Sequence, residues 1–360
     1  MGAENATAFP MRRRLALSLI LIGLSGAAAR AEAPVKVRVV VVAMFEAGED
    51  TGDTPGEFQY WVEREKLVRT WDFPQGERRL RSNGDGSILG VVTGVGTIHS
   101  AATIMALGLD PRFDLTHAYW VVAGIAGANP DVMSLGCAAW AEWVVDGDLG
   151  HEIDPREAPA GWPTGHVPLR KKAPYEQPMV ATEGQVFHLD PALVDWAYRL
   201  TRDTPLPDSE PLRRHRALYA GFPNALRPPF VLKGDNLASM DYWHGKLMNA
   251  WAEAWVSYFT GGRGTFATTA MEDSGTLQAL TWLSRAGRVD VRRALVLRTS
   301  SNFDMQWPGA TAAHSLSGES LDDMGYSAYL PSLEAAYRVG SRVVHEIAGN
   351  WGEYEATPPR

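Results

Sequence analysis

Residues 35–42 read Val-Lys-Val-Arg-Val-Val-Val-Val, an alternating start that ends in an unbroken β-branched run. Four consecutive valines place apolar groups on both faces of a strand, so that strand must enter a sheet covered on both sides. A chain that opens in this way is committed to layers. Further strands are expected over 88–93, 117–123, 140–145, 230–233 and 294–299, and helices over 97–107, 191–201, 242–259, 272–286 and 332–348. Strands alternating with helices imply an α/β fold: three layers, with a twisted mixed and mostly parallel sheet flanked by helices. Residues 150–229 are richer in Pro and charge and read as an excursion from one large domain, 32–360.

The N-terminus has the form of an export signal. Arg12, Arg13 and Arg14 precede an apolar run over 15–24, and small residues follow to Ala29-Arg30-Ala31. Cleavage after Ala31 is expected, making 1–31 a signal peptide and the mature protein periplasmic. The ten-residue apolar core is too short to span a bilayer. Removing this segment takes away four Arg and one Glu, leaving 30 Lys+Arg against 41 Asp+Glu, a net charge of −11. The basic clusters that remain, Arg170-Lys171-Lys172 and Arg213-Arg214-His215-Arg216, are short and read as solvated faces, so nucleic acid is not an expected partner. Cys137 is the single cysteine, cannot form an internal disulfide, and reads as core.

In sheets of this kind ligands sit at the carboxyl ends of strands. The first strand ends in Ala43-Met44-Phe45-Glu46, which offers an acid to a cleft. The second ends in Thr93-Gly94-Val95-Gly96-Thr97-Ile98-His99, where glycines let backbone N–H groups approach a polar ligand at a helix start. The third runs into Gly124-Ile125-Ala126-Gly127. Met271-Glu272 opens a helix, where an acid serves as a cap or grips vicinal hydroxyls of a sugar. The strand over 294–299 leaves its apolar stretch at Arg298 and continues Ser301-Asn302-Phe303-Asp304. His345-Glu346 lacks the second His of a zinc-protease helix, and neither a Walker A nor a G-x-S-x-G segment is present. No metal and no cofactor is expected.

Taken in order, these segments resemble the nucleoside phosphorylase/nucleosidase superfamily, and most closely its purine nucleoside permease branch. The resemblance implies a nucleoside phosphorylase-like fold. It makes Glu46 the acid that orients or activates water, with Gly94 and Gly96 near the water or anion and Gly127 in the third glycine segment; His99, just beyond the turn, either assists on the sugar or water side or is a buried, satisfied histidine. Gly234-Asp235-Asn236 resembles a segment beside the base, so Asp235 and Asn236 become base neighbours. Leu237 and Ala238 stand where an aromatic residue is usual, which leaves stacking to Tyr242 or Trp243. Met271 and Glu272 would hold the ribose. Ser301 and Asn302 fall where purine N7 is contacted; Asn302 can hydrogen-bond to N7 but cannot deliver a proton to the leaving base, whereas Asp304, two residues on, can.

Three readings follow from this resemblance. The chain is a purine nucleosidase releasing base and ribose, a non-catalytic nucleoside-binding component of an uptake system with a membrane partner, or a phosphorylase that also binds phosphate. Phosphorylases need Arg for a dianion, and the glycine turn carries none nearby. The resemblance also allows a homo-oligomer.

Overall fold

In the computed structural model the first long strand, β1 (Val39–Ala43), is buried at all five positions, as its composition requires. The structure describes residues 33–320 and 328–360, so the expected export segment at 1–31 lies outside the described residues. β1 pairs in parallel with β2 (Ile88–Val92) on one side and with β3 (Tyr119–Ala128) on the other. Short antiparallel strands, Arg69–Trp71 and Leu80–Ser82, extend the β2 edge and were not expected from sequence.

β3 runs to Ala128, beyond the expected end at 123, because its glycine-rich second half pairs with residues 298–303 on one side and, at Gly127 and Ala128, with Thr269 and Thr268 on the other. Beyond β3 the sheet continues through β4 (Ala138–Ala141), which breaks at Glu142 and resumes as β5 (Trp143–Asp146), then β6 (Asp235–Ala238), β7 (Phe266–Ala270) and β8 (Ala294–Phe303). β8 lies parallel to β3 and antiparallel to β4. β5 pairs with β6, β6 with β7, and β7 turns antiparallel onto the end of β3. The circuit β3–β8–β4/β5–β6–β7–β3 therefore closes on itself, leaving no exposed edge around the strand ends that carry polar residues. β7 is built mainly of small residues, Phe-Ala-Thr-Thr-Ala.

The break at Glu142 lets one strand serve both ends of this circuit. It is held by Asp235, whose carboxylate accepts hydrogen bonds from Glu142 N (3.1 Å), Trp143 N (2.8 Å) and Thr265 N (2.6 Å).

The helices complete a three-layer α/β fold. α1 (Gln59–Arg64) follows β1; α2 (Thr97–Leu109) follows β2; α3 (Lys246–Thr260) follows β6; α4 (Asp273–Arg285) follows β7; and α5 (Tyr329–Gly349) closes the chain. α5 packs across β1, β3, β4 and β8, while α2 and α4 pack on each other. The 150–229 stretch carries a paired strand segment (Gly150–Glu152 with His166–Pro168), a strand at Val186–His188 on β5, and helices Pro191–Thr201 and Glu210–Arg216. Arg216, read as part of a solvated cluster, is instead buried against Asp208. Cys137 is buried as expected.

Candidate active site

The carboxyl ends of β1, β3, β7 and β8 and the start of α4 enclose a cavity of about 300 Å³. That is the small end of the range for ligand pockets, about 300–1,000 Å³. One wall is apolar, made by Met44, Phe45, Val95, Ile125 and Tyr329, and the Phe45 and Tyr329 rings lie 6.4 Å apart.

The opposite chemistry comes from a buried charge cluster. Arg298 stands in the middle of β8, where the apolar half of a strand buried along its whole length ends, and a guanidinium in that position must be paired. Its Nη2 lies 2.6 Å from Asp273 Oδ1 and 3.0 Å from Glu272 Oε2, while Nη1 donates to the Ile125 carbonyl at 3.0 Å. Asp273 is braced from behind by Asn236 Nδ2 (2.7 Å), and Asn236 Oδ1 accepts from Thr268 Oγ1 (3.0 Å). Glu272 sits just before α4, where its Oε1 accepts the Gly96 N–H at 3.1 Å. Its head is therefore oriented from two sides, one of them the glycine turn.

A third carboxyl belongs to the cluster. Glu57, on the loop before α1, lines the cavity; its Oε2 accepts from Met44 N and its Oε1 from Ile125 N, each at 2.7 Å. Three carboxyls around one guanidinium cannot all ionise cheaply. Burial pushes the Glu57 pKa up to about 8; Arg298 opposes the rise and Glu272 adds to it. Burial raises Glu272 as well, against the pull of Arg298. For Arg298 itself, burial works against the charge, but Asp273 and Glu272 outweigh it and keep it firmly protonated. Gly124 is where these groups converge: a Cβ there would meet Met44 Cε, Glu57 Oε1 at 2.6 Å and Arg298 Nη1 at 2.8 Å.

The third part of the cavity lies at the end of β8. Between Ser300 and Asn302 the register against β3 slips by one residue, so Ser301 is a bulge. A strict alternation would put Ser301 and Asn302 on opposite faces; the bulge brings both to the cavity. Asn302 Oδ1 accepts from Ser301 Oγ (2.9 Å), and its Nδ2 donates to Tyr242 Oη (2.9 Å). The result is an oriented amide beside an aromatic ring.

The family model described as purine nucleoside permease (NUP) matches residues 36–359. The chain belongs to this purine nucleoside permease family. It is 31% identical over 281 residues to a Schizosaccharomyces pombe protein described as a probable purine nucleoside permease, covering 76% of this chain and 79% of that one. It is 32% identical over 275 residues to the purine nucleoside permease of Candida albicans, covering 75% of this chain and 66% of the relative. The match thus spans slightly under two thirds of the Candida protein's length. Among solved structures, futalosine hydrolase of Helicobacter pylori superposes with a TM-score of 0.50 at 15% identity, covering 87% of this chain and 98% of that one. That likeness concerns the fold, which is nucleoside phosphorylase-like.

Of the residues that the family resemblance pointed to, Gly127, Tyr242, Met271, Glu272, Ser301 and Asn302 line the cavity. Glu46 does not. Its carboxylate is turned away to accept the N–H groups of Phe58 and Gln59 at the start of α1 and of Gly56 in the loop before it, so it fixes the loop that delivers Glu57. His99 is exposed, with Nδ1 2.9 Å from the Val95 carbonyl one turn back. Gly94 and Gly96, at φ 84° and 95°, flank the lining residue Val95 without lining the cavity themselves. Asp235 holds the β4/β5 break, and Asn236 reaches the site only through Asp273. Trp243 lines a different cavity. Asp304 is buried beside Asn249, whose Nδ2 lies 3.1 Å from both its oxygens, and burial raises its pKa well above the carboxyl range.

Two central groups were missed. Arg298 carried a legible signal, a lone charge inside a buried strand. Glu57 carried none, because only the fold-back of the 47–56 loop brings it to the end of β1.

Proposed function

We propose that this chain binds purine nucleosides in the cavity and hydrolyses their N-glycosidic bond, and that it does so as an exported protein serving nucleoside uptake. The reading rests above all on Glu57, a buried carboxyl with a pKa near neutrality, set beside a fixed Glu272–Arg298 pair in a cavity of ligand size. The names of the curated relatives support the substrate class. Glu272, held by Gly96 N–H and Arg298, is suited to accept hydrogen bonds from the ribose hydroxyls. Ionised Glu57 takes a proton from water as the water oxygen bonds to C1′. The electron pair of the C1′–N9 bond passes into the purine, whose N7 takes over the Asn302 amide N–H that Tyr242 Oη accepts in the empty site. The leaving base takes its proton from solvent water. The positive charge that develops on the sugar is offset by the carboxylates around it.

Hydrolysis is favoured over phosphorolysis by what surrounds the glycine turn. The Gly96 N–H is engaged by Glu272, and the Thr97 N–H faces Met240 Sδ at 2.9 Å. Arg298, the cation lining the cavity, is already committed to two carboxylates and a carbonyl. These groups offer a phosphate dianion no open pair of donors. A binding-only role draws on the relatives' permease name and on Asn302, which cannot protonate a leaving group. No helix among the described residues is long and apolar enough to cross a membrane.

The test is chromatography of adenosine, inosine and guanosine incubated with the protein, with and without phosphate. Free base plus ribose in both buffers is expected. Ribose 1-phosphate formed only with phosphate would establish a phosphorylase instead. Intact nucleosides that nevertheless bind in calorimetry would leave the carrier role.

A further inference from the structure

A second cavity, of about 310 Å³, shares a wall with the first. The shared wall is the loop after β6: Tyr242 lines the first cavity, while its neighbours Asp241 and Trp243 line the second. Aromatic rings form much of the lining. The His166 ring stacks on Trp251 at 4.3 Å and 28°, Trp243 meets Trp251 edge-on at 5.9 Å, and Trp255 lies 5.7 Å from Trp251. Gly147 permits this closeness, since a Cβ there would stand 3.1 Å from Trp251 Cη2.

Three carboxylates, Asp148, Glu152 and Asp241, complete the lining, and no Lys or Arg is among the lining residues. Asp148 is engaged by Ser239 Oγ (2.7 Å) and Met240 N (2.6 Å). Glu152 and Asp241 are exposed, and their carboxylates take no hydrogen bond or ion pair from the described residues. All three act electrostatically on His166, so their fields converge on one ring. Burial nevertheless outweighs them and lowers the His166 pKa, which leaves the ring uncharged at neutral pH. The negative charge is therefore not cancelled from within. The indole N–H groups of Trp243 and Trp251 are buried with no acceptor among the described residues, whereas that of Trp255 reaches the Asp146 carbonyl at 2.9 Å. Among the described residues no group of three or more His, Cys, Asp or Glu is placed to hold a metal ion.

We propose that this second cavity binds a small organic ammonium ion, its cationic head between the Glu152 and Asp241 carboxylates and the His166–Trp251 stack. Aromatic faces and carboxylates both attract such a head, and a bulky alkylammonium is weakly hydrated enough to leave water for them.

The probe is choline, titrated into the protein by calorimetry and tryptophan fluorescence, against its uncharged isostere 3,3-dimethyl-1-butanol. Choline should saturate and bind at least about tenfold more tightly than the isostere. The double variant E152Q/D241N, altered only at exposed positions, should weaken choline by at least about tenfold and leave the isostere unchanged. No saturable choline binding up to about 50 mM, equal affinity for the two probes, or unchanged choline affinity in a folded double variant overturns the assignment. The measurement reads binding alone and stands whether or not the first cavity cleaves nucleosides.

Discussion

Glu57→Gln keeps the side-chain volume and removes the carboxyl assigned as the base. Burial raises its pKa from 4.5 to about 8. A rise of about 3.5 units, at about 1.36 kcal/mol each, disfavours the ionised form in the empty site by about 5 kcal/mol. Only about a tenth of Glu57 is then ionised at pH 7, and the base that accepts a proton from water must be ionised. For wild type, kcat/KM should rise about tenfold per pH unit up to about pH 8 and then level. The Gln variant should lose about 10²- to 10⁴-fold in kcat/KM and lose this slope. Stability gives a second readout of opposite sign. Between about pH 4.5 and 8 the folded protein keeps a proton that the unfolded chain has released, so folding stability contributed by Glu57 falls as pH rises. Wild type should therefore lose about 4 kcal/mol relative to E57Q between pH 5 and pH 9, seen as diverging denaturant midpoints. A flat pH–rate profile from pH 6 to 9, together with an active E57Q whose stability tracks wild type, would falsify the base assignment.

Four further substitutions separate roles. Arg298→Met leaves Glu272 and Asp273 buried without their counter-charge and should destabilise by about 3–5 kcal/mol in urea unfolding; adding Asp273→Asn should recover part of the loss, and strict additivity would argue that the pair is not coupled. Asp235→Ala orphans three backbone N–H groups at the β4/β5 break and should cost at least about 2 kcal/mol while KM holds; a raised KM at unchanged stability would return Asp235 to substrate contact. Asn302→Asp exchanges an amide donor, matched to N7 and O6 of a 6-oxopurine, for an acceptor matched to a 6-amino group. The adenosine-to-inosine ratio of kcat/KM should rise at least about tenfold, and an unchanged ratio would remove Asn302 from base contact.

Sheet and family were legible in the chain because they depend on local properties. The valines of β1 demand cover on both faces whatever their neighbours are, and Met271-Glu272 marks a helix start by its own residue types. The glycine turn was legible as a turn but not as a site. Its positive φ values require Gly locally, while the partners of its N–H groups, Glu272 and Met240, come from distant segments.

What the sequence determined on its own is thus the layered fold, the strand ends where chemistry collects, and the residue types that suit a nucleoside. Only the tertiary structure decided which acid faces the cavity. Glu46 and Glu57 are alike as residues, and one becomes a backbone cap while the other becomes a near-neutral acid because the 47–56 loop folds back. Likewise, the slip at Ser301 decides that consecutive side chains share a face, and Asp235 ends as a strand brace because the circuit of strands closes around it. Burial and charge proximity are properties of the closed fold, and they turn identical carboxyls into different chemical groups.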